Sequence, residues 1–205
     1  MKYVDLLIKN HPALSSCRQA ICDAIDTIVD MACNGNKLLL CGNGGSAADC
    51  SHIAGELLKG FLRKRPISEA DRALLAELSE RESLQRGICA ISLPDQGAVL
   101  SAYANDELSD MVYAQLVYAM HSEDDVFLGI STSGNAANVV KAAQCARGLG
   151  LHTIAMTGED GGELGRICDI TIRVPANETY LVQEYHLPVY HAICAQVEEI
   201  LFGDL

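Results

Sequence analysis

Within CGNGGSAADCSHIAGELLKGF, residues 41–61, a histidine and a glutamate stand four positions apart behind a run of glycine and serine: His52 and Glu56. On a helix that spacing puts both side chains on one face. A histidine and a carboxylate so placed suit a divalent metal ion, or the transfer of protons as acid and base. A surface pair at the same spacing reads identically, so the pair alone does not choose. Gln183, Glu184, His186 and His191 gather other reactive types far along the chain. On an ideal helix Gln183 and His191 lie about 80° apart and share a broad face. Pro188 between them predicts a kink or a break. His186 reads as a hydrogen-bonded core histidine.

Two loops carry anion chemistry. Gly42-Asn43-Gly44-Gly45-Ser46 follows an apolar run and precedes a helical one, Ala47 to Leu58. Glycines let a backbone approach an anion closely, and the Ser46 hydroxyl can cap the helix or bond a phosphate. A plain tight turn would use the same residues. The stretch is neither a Walker A loop nor GxGxxG. Ser131-Thr132-Ser133-Gly134-Asn135 repeats the arrangement ahead of the helical run 136–147. Three consecutive hydroxyls make a poor core and good donors to phosphate oxygens, although turns and caps use one or two of them. Thr157-Gly158 falls in the equivalent place after a further apolar run.

The elements that must position these residues follow from periodicity. Leu14, Cys17, Ile21, Ala24, Ile25, Ile28 and Met31 predict one long amphipathic helix over 12–33, stopped near Asn34-Gly35. KLLLC (37–41), ICAISL (88–93), DVFLGIS (125–131), HTIAM (152–156) and ITIRV (170–174) read as buried strands alternating with helices. That is the pattern of a doubly wound parallel sheet covered on both faces. A helix over about 178–202 closes the chain. The stretch 62–87 is dense in charge and reads as an exposed insertion, with Leu74, Leu75, Leu78 and Leu84 fitting a short amphipathic helix.

Composition bounds the function. The 205 residues, 49% apolar and 20% charged, suit one globular domain. A net charge of −12 excludes a basic nucleic-acid-binding face but not a local nest for a small anion. No apolar run is long enough to span a membrane, and the start, MKYVDLLIKNHP, lacks a signal-peptide core. Nine cysteines without a CxxC pair read as free thiols of a reducing compartment, so the expected location is the cytoplasm.

GNGGSAADxxHxxxEL, ISTSGNxxNVVKA, TGEDGGELGRICDITIRVP and QEYHLxxxH together resemble the sedoheptulose-7-phosphate isomerases (phosphoheptose isomerases) of the sugar-isomerase (SIS) superfamily. The resemblance covers nearly the whole chain, with 62–87 as the main exception. It implies a three-layer α/β/α sandwich on a five-stranded parallel sheet, flanked by helices at both ends, as one SIS domain over 1–205. It implies a homotetramer with active sites at subunit interfaces, and conversion of sedoheptulose 7-phosphate to D-glycero-D-manno-heptose 7-phosphate, a step towards nucleotide-activated heptoses. Phosphate binding falls on Ser46, Ser131, Thr132 and Ser133. Asn43, Gly44 and Gly45 support the first loop, and Asp95 and Gln183 contact the sugar. Glu56 and His191 match the acid–base pair. His52, Glu56, Gln183 and His191 match the ligands of a zinc ion found in some members; no organic cofactor is implied. Glu56 cannot act freely as base while bound tightly to zinc, so the two roles imply ligand exchange or an indirect arrangement.

The chain departs from the family pattern at three places. Lys59-Gly60-Phe61 stands where many relatives carry Gly-Arg-Phe, Ala136 replaces a common serine, and the Asp95 to Asn105-Asp106 spacing is one residue longer. Two other outcomes fit the superfamily. One is a non-enzymatic adaptor for the bacterial replication initiator, which NDELSDMVYAQ and TGEDGGELG resemble but which lacks the equivalents of Glu56 and His191. The other is an isomerase or sensor for a different sugar phosphate.

Overall fold

Leu38, Leu39, Leu40 and Cys41 are completely buried because they form an inner strand covered on both faces. In the computed structural model, which describes residues 1–203, β1 (Leu38–Gly42), β2 (Ala90–Ser92), β3 (Val126–Ile130), β4 (His152–Thr157) and β5 (Ile170–Arg173) build one sheet. Its order is β2-β1-β3-β4-β5 and every pairing is parallel. Side chains alternate across the sheet. Leu38 and Leu40 pack with α1 (Lys2–Asn10), α2 (Arg18–Cys33), α3 (Gly45–Leu58) and α9 (Thr179–Phe202). Leu39, Cys41, Phe127 and Ala155 pack with α6 (Val112–Met120) and α7 (Ala137–Gly148) on the other face. Three short helices, α4 (Glu69–Leu74), α5 (Gly97–Asp106) and α8 (Leu164–Ile167), complete the chain. The expected three-layer α/β/α sandwich with a five-stranded parallel sheet is the observed fold.

The strand order creates a switch point. From β1 the chain steps outward one way to β2, then returns to β3 on β1's other side and continues to β4 and β5. Connections leaving β1 and β3 therefore diverge to opposite faces. A crevice opens beyond their carboxyl ends, where open α/β sheets bind ligands.

Local expectations needed correction at four places. The periodic segment 12–33 is not one α-helix: Pro12–Cys17 forms 3₁₀ turns and α2 begins at Arg18. Leu14 and Cys17, three apart, bury equally well on the tighter helix, so apolar spacing could not tell the two apart. α3 starts at Gly45, two residues early, which puts Ser46 inside its first turn and not at the cap, a position taken by Gly44. α9 runs unbroken through Pro188, because Val182, His186, Val189 and Tyr190 are buried around it and tertiary packing outweighs the lost hydrogen bond. In the charged stretch 62–87, only Glu69–Leu74 is α-helical, and Leu74, Leu78 and Leu84 are exposed instead of forming a buried stripe. Nor are its charges all solvated: Arg65 is fully buried, with Nε donating to Glu198 Oε1 at 2.8 Å.

Candidate functional site

The loops after β1 and β3 line one pocket at the switch point. Its walls are Asn43 to Ser46, Ile130 to Ser133, Ala136, Thr179 and Gln183. Ser46 and Ser131 are buried. Most first-turn N–H groups of α3 and α7 are already taken: Ser46, Ala47 and Ala48 donate to the Asn43 and Gly44 carbonyls, and Val139 and Val140 to Asn138 Oδ1 and the Ala136 carbonyl. Those of Gly45, Ala137 and Asn138 make no such bond and can face a ligand. The two loops are tied together by a reciprocal amide pair: Asn43 Nδ2 donates to Asn138 Oδ1 at 2.8 Å, and Asn138 Nδ2 returns to Asn43 Oδ1 at 3.0 Å. Gln183, on the first turns of α9, lies against Gly45, where a Cβ would stand 2.5 Å from its Nε2. A side chain at position 45 would therefore displace the Gln183 amide from the cradle. Such a cradle of hydroxyls, amides and free N–H groups suits a phosphate on an otherwise acidic protein.

Further along α3 lies a second cluster. His52 Nε2 is 3.2 Å from Glu56 Oε1, and Lys59 Nζ is 3.2 Å from Glu56 Oε2. His191 Nε2 reaches His52 Nε2 at 3.5 Å, and Phe61 stacks against the His191 ring at 5.6 Å between centroids. The Tyr190 hydroxyl stands 3.0 Å from His52 Nδ1 and 3.3 Å from Asp49 Oδ1. Burial lowers the His191 pKa and His52 lowers it further, with Glu56 opposing, so the imidazole is neutral near pH 7 and able to accept a proton. Burial raises the pKa of Tyr190 well above its ordinary value, and neighbouring Asp49 adds to it, so the phenol keeps its proton.

The SIS domain profile matches residues 11–158. The phosphoheptose isomerase of Aneurinibacillus thermoaerophilus is 39% identical over 171 residues, covering 83% of this chain and 76% of its own. That of Synechocystis sp. is 38% identical over 190 residues, covering 91% and 88%. The chain belongs to the phosphoheptose isomerase family of SIS-domain proteins. Solved family structures agree with this fold. The phosphoheptose isomerase of Neisseria gonorrhoeae superposes with a TM-score of 0.76 at 30% identity, covering 95% of this chain and 94% of its own. That of Francisella tularensis gives 0.78 at 29%, covering 97% and 95%.

Against the family's motifs, the structure brings Asn43, Gly44, Gly45, Ser46, Ser131, Thr132, Ser133 and Gln183 to one pocket, and His52, Glu56 and His191 to another point along α3. Gln183 makes no hydrogen bond to that second cluster among the described residues. Asp95 is exposed beyond β2 and accepts from Ser51 Oγ at 2.8 Å, Ser51 being the α3 residue just before His52. His186 is the core histidine expected, fully buried with Nε2 3.4 Å from the Thr157 carbonyl. Sequence reasoning missed Asn138, Thr179, Tyr190 and Asp49. Thr179 and Gln183 form an i,i+4 pair that, like His52 and Glu56, was open to reading; the others gain meaning only from partners distant in sequence.

Proposed function

We propose that the chain is an aldose–ketose isomerase that converts sedoheptulose 7-phosphate to D-glycero-D-manno-heptose 7-phosphate, in the supply of nucleotide-activated heptoses. One observation carries the reading: α3 bears the anion cradle at its N-terminus and His52 and Glu56 two to three turns on. The helix rises roughly 9 Å from Ser46 to His52. That separation suits an extended phosphosugar with its phosphate at one end and its carbonyl at the other. Relatives named phosphoheptose isomerase support the seven-carbon substrate. Retention of both Glu56 and His191 argues against a non-enzymatic adaptor.

In this reading Ser46, Ser131, Thr132 and Ser133 hold the phosphate, while Glu56 and His191 move the protons. One group removes the proton from C1 of the ketose as the other protonates the carbonyl oxygen at C2, giving an enediol. Return of a proton to C2 and loss of the one on the C1 oxygen yields the aldose. A neutral His191 is suited to either half.

Zinc belongs to the same proposal. His52, Glu56 and His191 offer the nitrogen and oxygen donors that zinc takes. Their separations of 3.2 and 3.5 Å resemble the edges of a tetrahedron with metal–ligand bonds of about 2 Å. The three are linked through His52 and not closed around a point: among the described residues no group of three His, Cys, Asp or Glu side chains forms a ready-made metal site. Gln183 as fourth ligand would have to leave Gly45. When bound, the ion would polarise the sugar carbonyl.

We further propose a homotetramer with the sites at subunit interfaces, supported by the exposure of His52 and by a largely uncovered α5. Cytoplasmic residence is supported by the nine cysteines, all free, with Cys17, Cys41, Cys50 and Cys194 buried. Among the described residues no helix is long and apolar enough to cross a membrane.

The test is incubation of the protein with sedoheptulose 7-phosphate, with and without zinc, followed by NMR. Appearance of the aldose C1 proton is expected, and no conversion under either condition overturns the reading. Ser131→Ala and Ser133→Ala should raise KM about tenfold through a lost charge-assisted hydrogen bond. Glu56→Gln and His191→Asn should lower kcat by about 10²–10⁴. Near-normal turnover in either of the latter removes its acid–base assignment.

A further inference from the structure

The pocket at the switch point has a third wall that neither serine loop supplies. Thr179 and Gln183 line it together with Asn43 to Ser46 and Ile130 to Ser133. Both stand at the start of α9, a helix of 24 residues. α9 and α3 run side by side in the same direction: Gln183 lies against Gly45, Tyr190 against His52, and Glu198 against Phe61 just past the end of α3. Thr179, one turn ahead of Gln183, therefore stands beyond the first turn of α3, at the end of the pocket away from His52.

The start of α9 is open to an anion. Its first helical bond runs from the Val182 N–H to the Glu178 carbonyl at 2.9 Å. The Thr179, Tyr180 and Leu181 N–H groups precede that bond, and Glu178 gives no side-chain cap. The hydroxyls of Ser131 and Ser133 already accept from the Ala136 and Asn135 N–H groups, whereas that of Thr179 makes no hydrogen bond among the described residues. Ala136, where α7 begins, brings only a methyl to the pocket. Glu178, whose charge would repel an anion, is exposed and outside the pocket wall. Thr179 is also held in place relative to the β3 loop. The Gly158 N–H donates to the Thr132 carbonyl at 2.9 Å, and the Glu159 N–H to the Ala176 carbonyl at 3.0 Å. The approach to α9 is thus tied through two adjacent residues to the loop that carries Ser131 and Ser133.

We propose that Thr179 is a further phosphate-binding residue: its hydroxyl donates to a phosphate oxygen, and α9 presents the positive end of its dipole to the same anion. Three helix N-termini, those of α3, α7 and α9, then surround one charge. The inference rests on the reading of the switch-point pocket as the phosphate site, and its test needs no turnover.

The test is titration of the full chain with inorganic phosphate, followed by ³¹P NMR, for wild type, Thr179→Val and Thr179→Ser. Valine keeps the β-branched shape and removes only the hydroxyl. Thr179 is exposed, so neither substitution takes contacts from the core. Thr179→Val is expected to raise the phosphate Kd about tenfold, as for a lost charge-assisted hydrogen bond, and Thr179→Ser to restore wild-type affinity. Where isomerisation is measurable, Thr179→Val should raise KM by the same factor with kcat held. Equal Kd values for wild type and Thr179→Val overturn the proposal, and so does a serine variant as weak as the valine one. Wild type that binds no phosphate removes the proposal and the phosphate reading together. Absence of isomerisation strikes the functional reading alone, because the titration is read without substrate.

Discussion

His186 carries the clearest pH signature of any single residue. Its burial pushes the pKa down to about 4, a fall that the Thr157 carbonyl only partly offsets, and its Nδ1 is buried without a partner. A histidine whose folded pKa lies below its unfolded one binds fewer protons when folded. Stability is therefore complete above the unfolded value of about 6.5 and is lost as pH falls from there towards 4. The full loss is on the order of 3 kcal/mol by linkage. In urea melts between pH 7 and 4.5, wild type should weaken more steeply than His186→Gln; parallel curves would show that another group controls acid stability. The sequence disclosed this residue as a core histidine even within the reactive group of Gln183, Glu184 and His191. It did not disclose Asn138 or Tyr190. Asn138 acts through Asn43, 95 residues away, and Tyr190 through His52, 138 residues away, and no local pattern announces a partner at that distance.

Between elements, the contact of greatest consequence joins the charged stretch to α9. Glu198 Oε1 accepts from the Phe61 N–H and Oε2 from the Leu62 N–H, and Arg65 completes the set with its ion pair. Arg65 also donates to the Leu57 and Glu56 carbonyls at the end of α3, and its guanidinium stacks on Phe202. One buried ion pair thus fixes the end of α3 that carries Glu56 and the Phe61 that packs on His191. Burial works against the Glu198 charge, but these donors outweigh it and hold the carboxyl below its usual range. Glu198→Ala should cost roughly 3–5 kcal/mol by stranding Arg65 in the interior. The Arg65→Met, Glu198→Met double substitution should cost less than the sum of the single ones, and additivity in chemical melts would deny the coupling. A second inter-element contact shapes the phosphate cradle. Gly134 has φ of +68° and meets the Gly161 carbonyl, while the Glu163 N–H donates to Asn135. Gly134→Ala should therefore weaken inorganic phosphate binding, measured by calorimetry, with little change in the sheet's circular dichroism. The strands themselves were legible because buried parallel strands are continuous apolar runs. Their order was not, since apolar runs do not say which neighbours which. That order is what brings the Gly42 and Ser131 loops to one crevice. Within 62–87 the solvated reading misses Arg65 alone, for a related reason: composition reports charge but not whether Glu198 awaits it.

At the scale of the whole molecule, the arrangement leaves one face unfinished. α5 buries none of its residues in the single chain, and Val99 is 39% exposed. A groove runs from Val99 and Ala102 past Tyr103 to Met111 and Tyr118, where Tyr118 is 62% exposed. Exposed apolar side chains gathered in this way, rimmed by Asp106, Glu107 and Lys141, mark an interaction site. A second copy is the occupant consistent with the proposed homotetramer. The chain's net charge of −12 opposes that association, since every copy brings the same sign. Apolar burial must therefore outweigh a repulsion that salt screens within about 10 Å at 0.1 M. Sedimentation equilibrium should accordingly show a mass above one chain, with association tightening as salt rises from 20 to about 150 mM. Val99→Asp with Tyr118→Asp adds two like charges to the groove and removes two apolar contacts. Its mass should fall, and turnover with it if the sites lie between subunits. A wild-type mass of 22.0 kDa at every salt concentration would reject the oligomer and leave the groove to another partner. A reduced mass with full turnover would instead show that each chain holds a complete site, with His52, Glu56 and His191 sufficient within one copy.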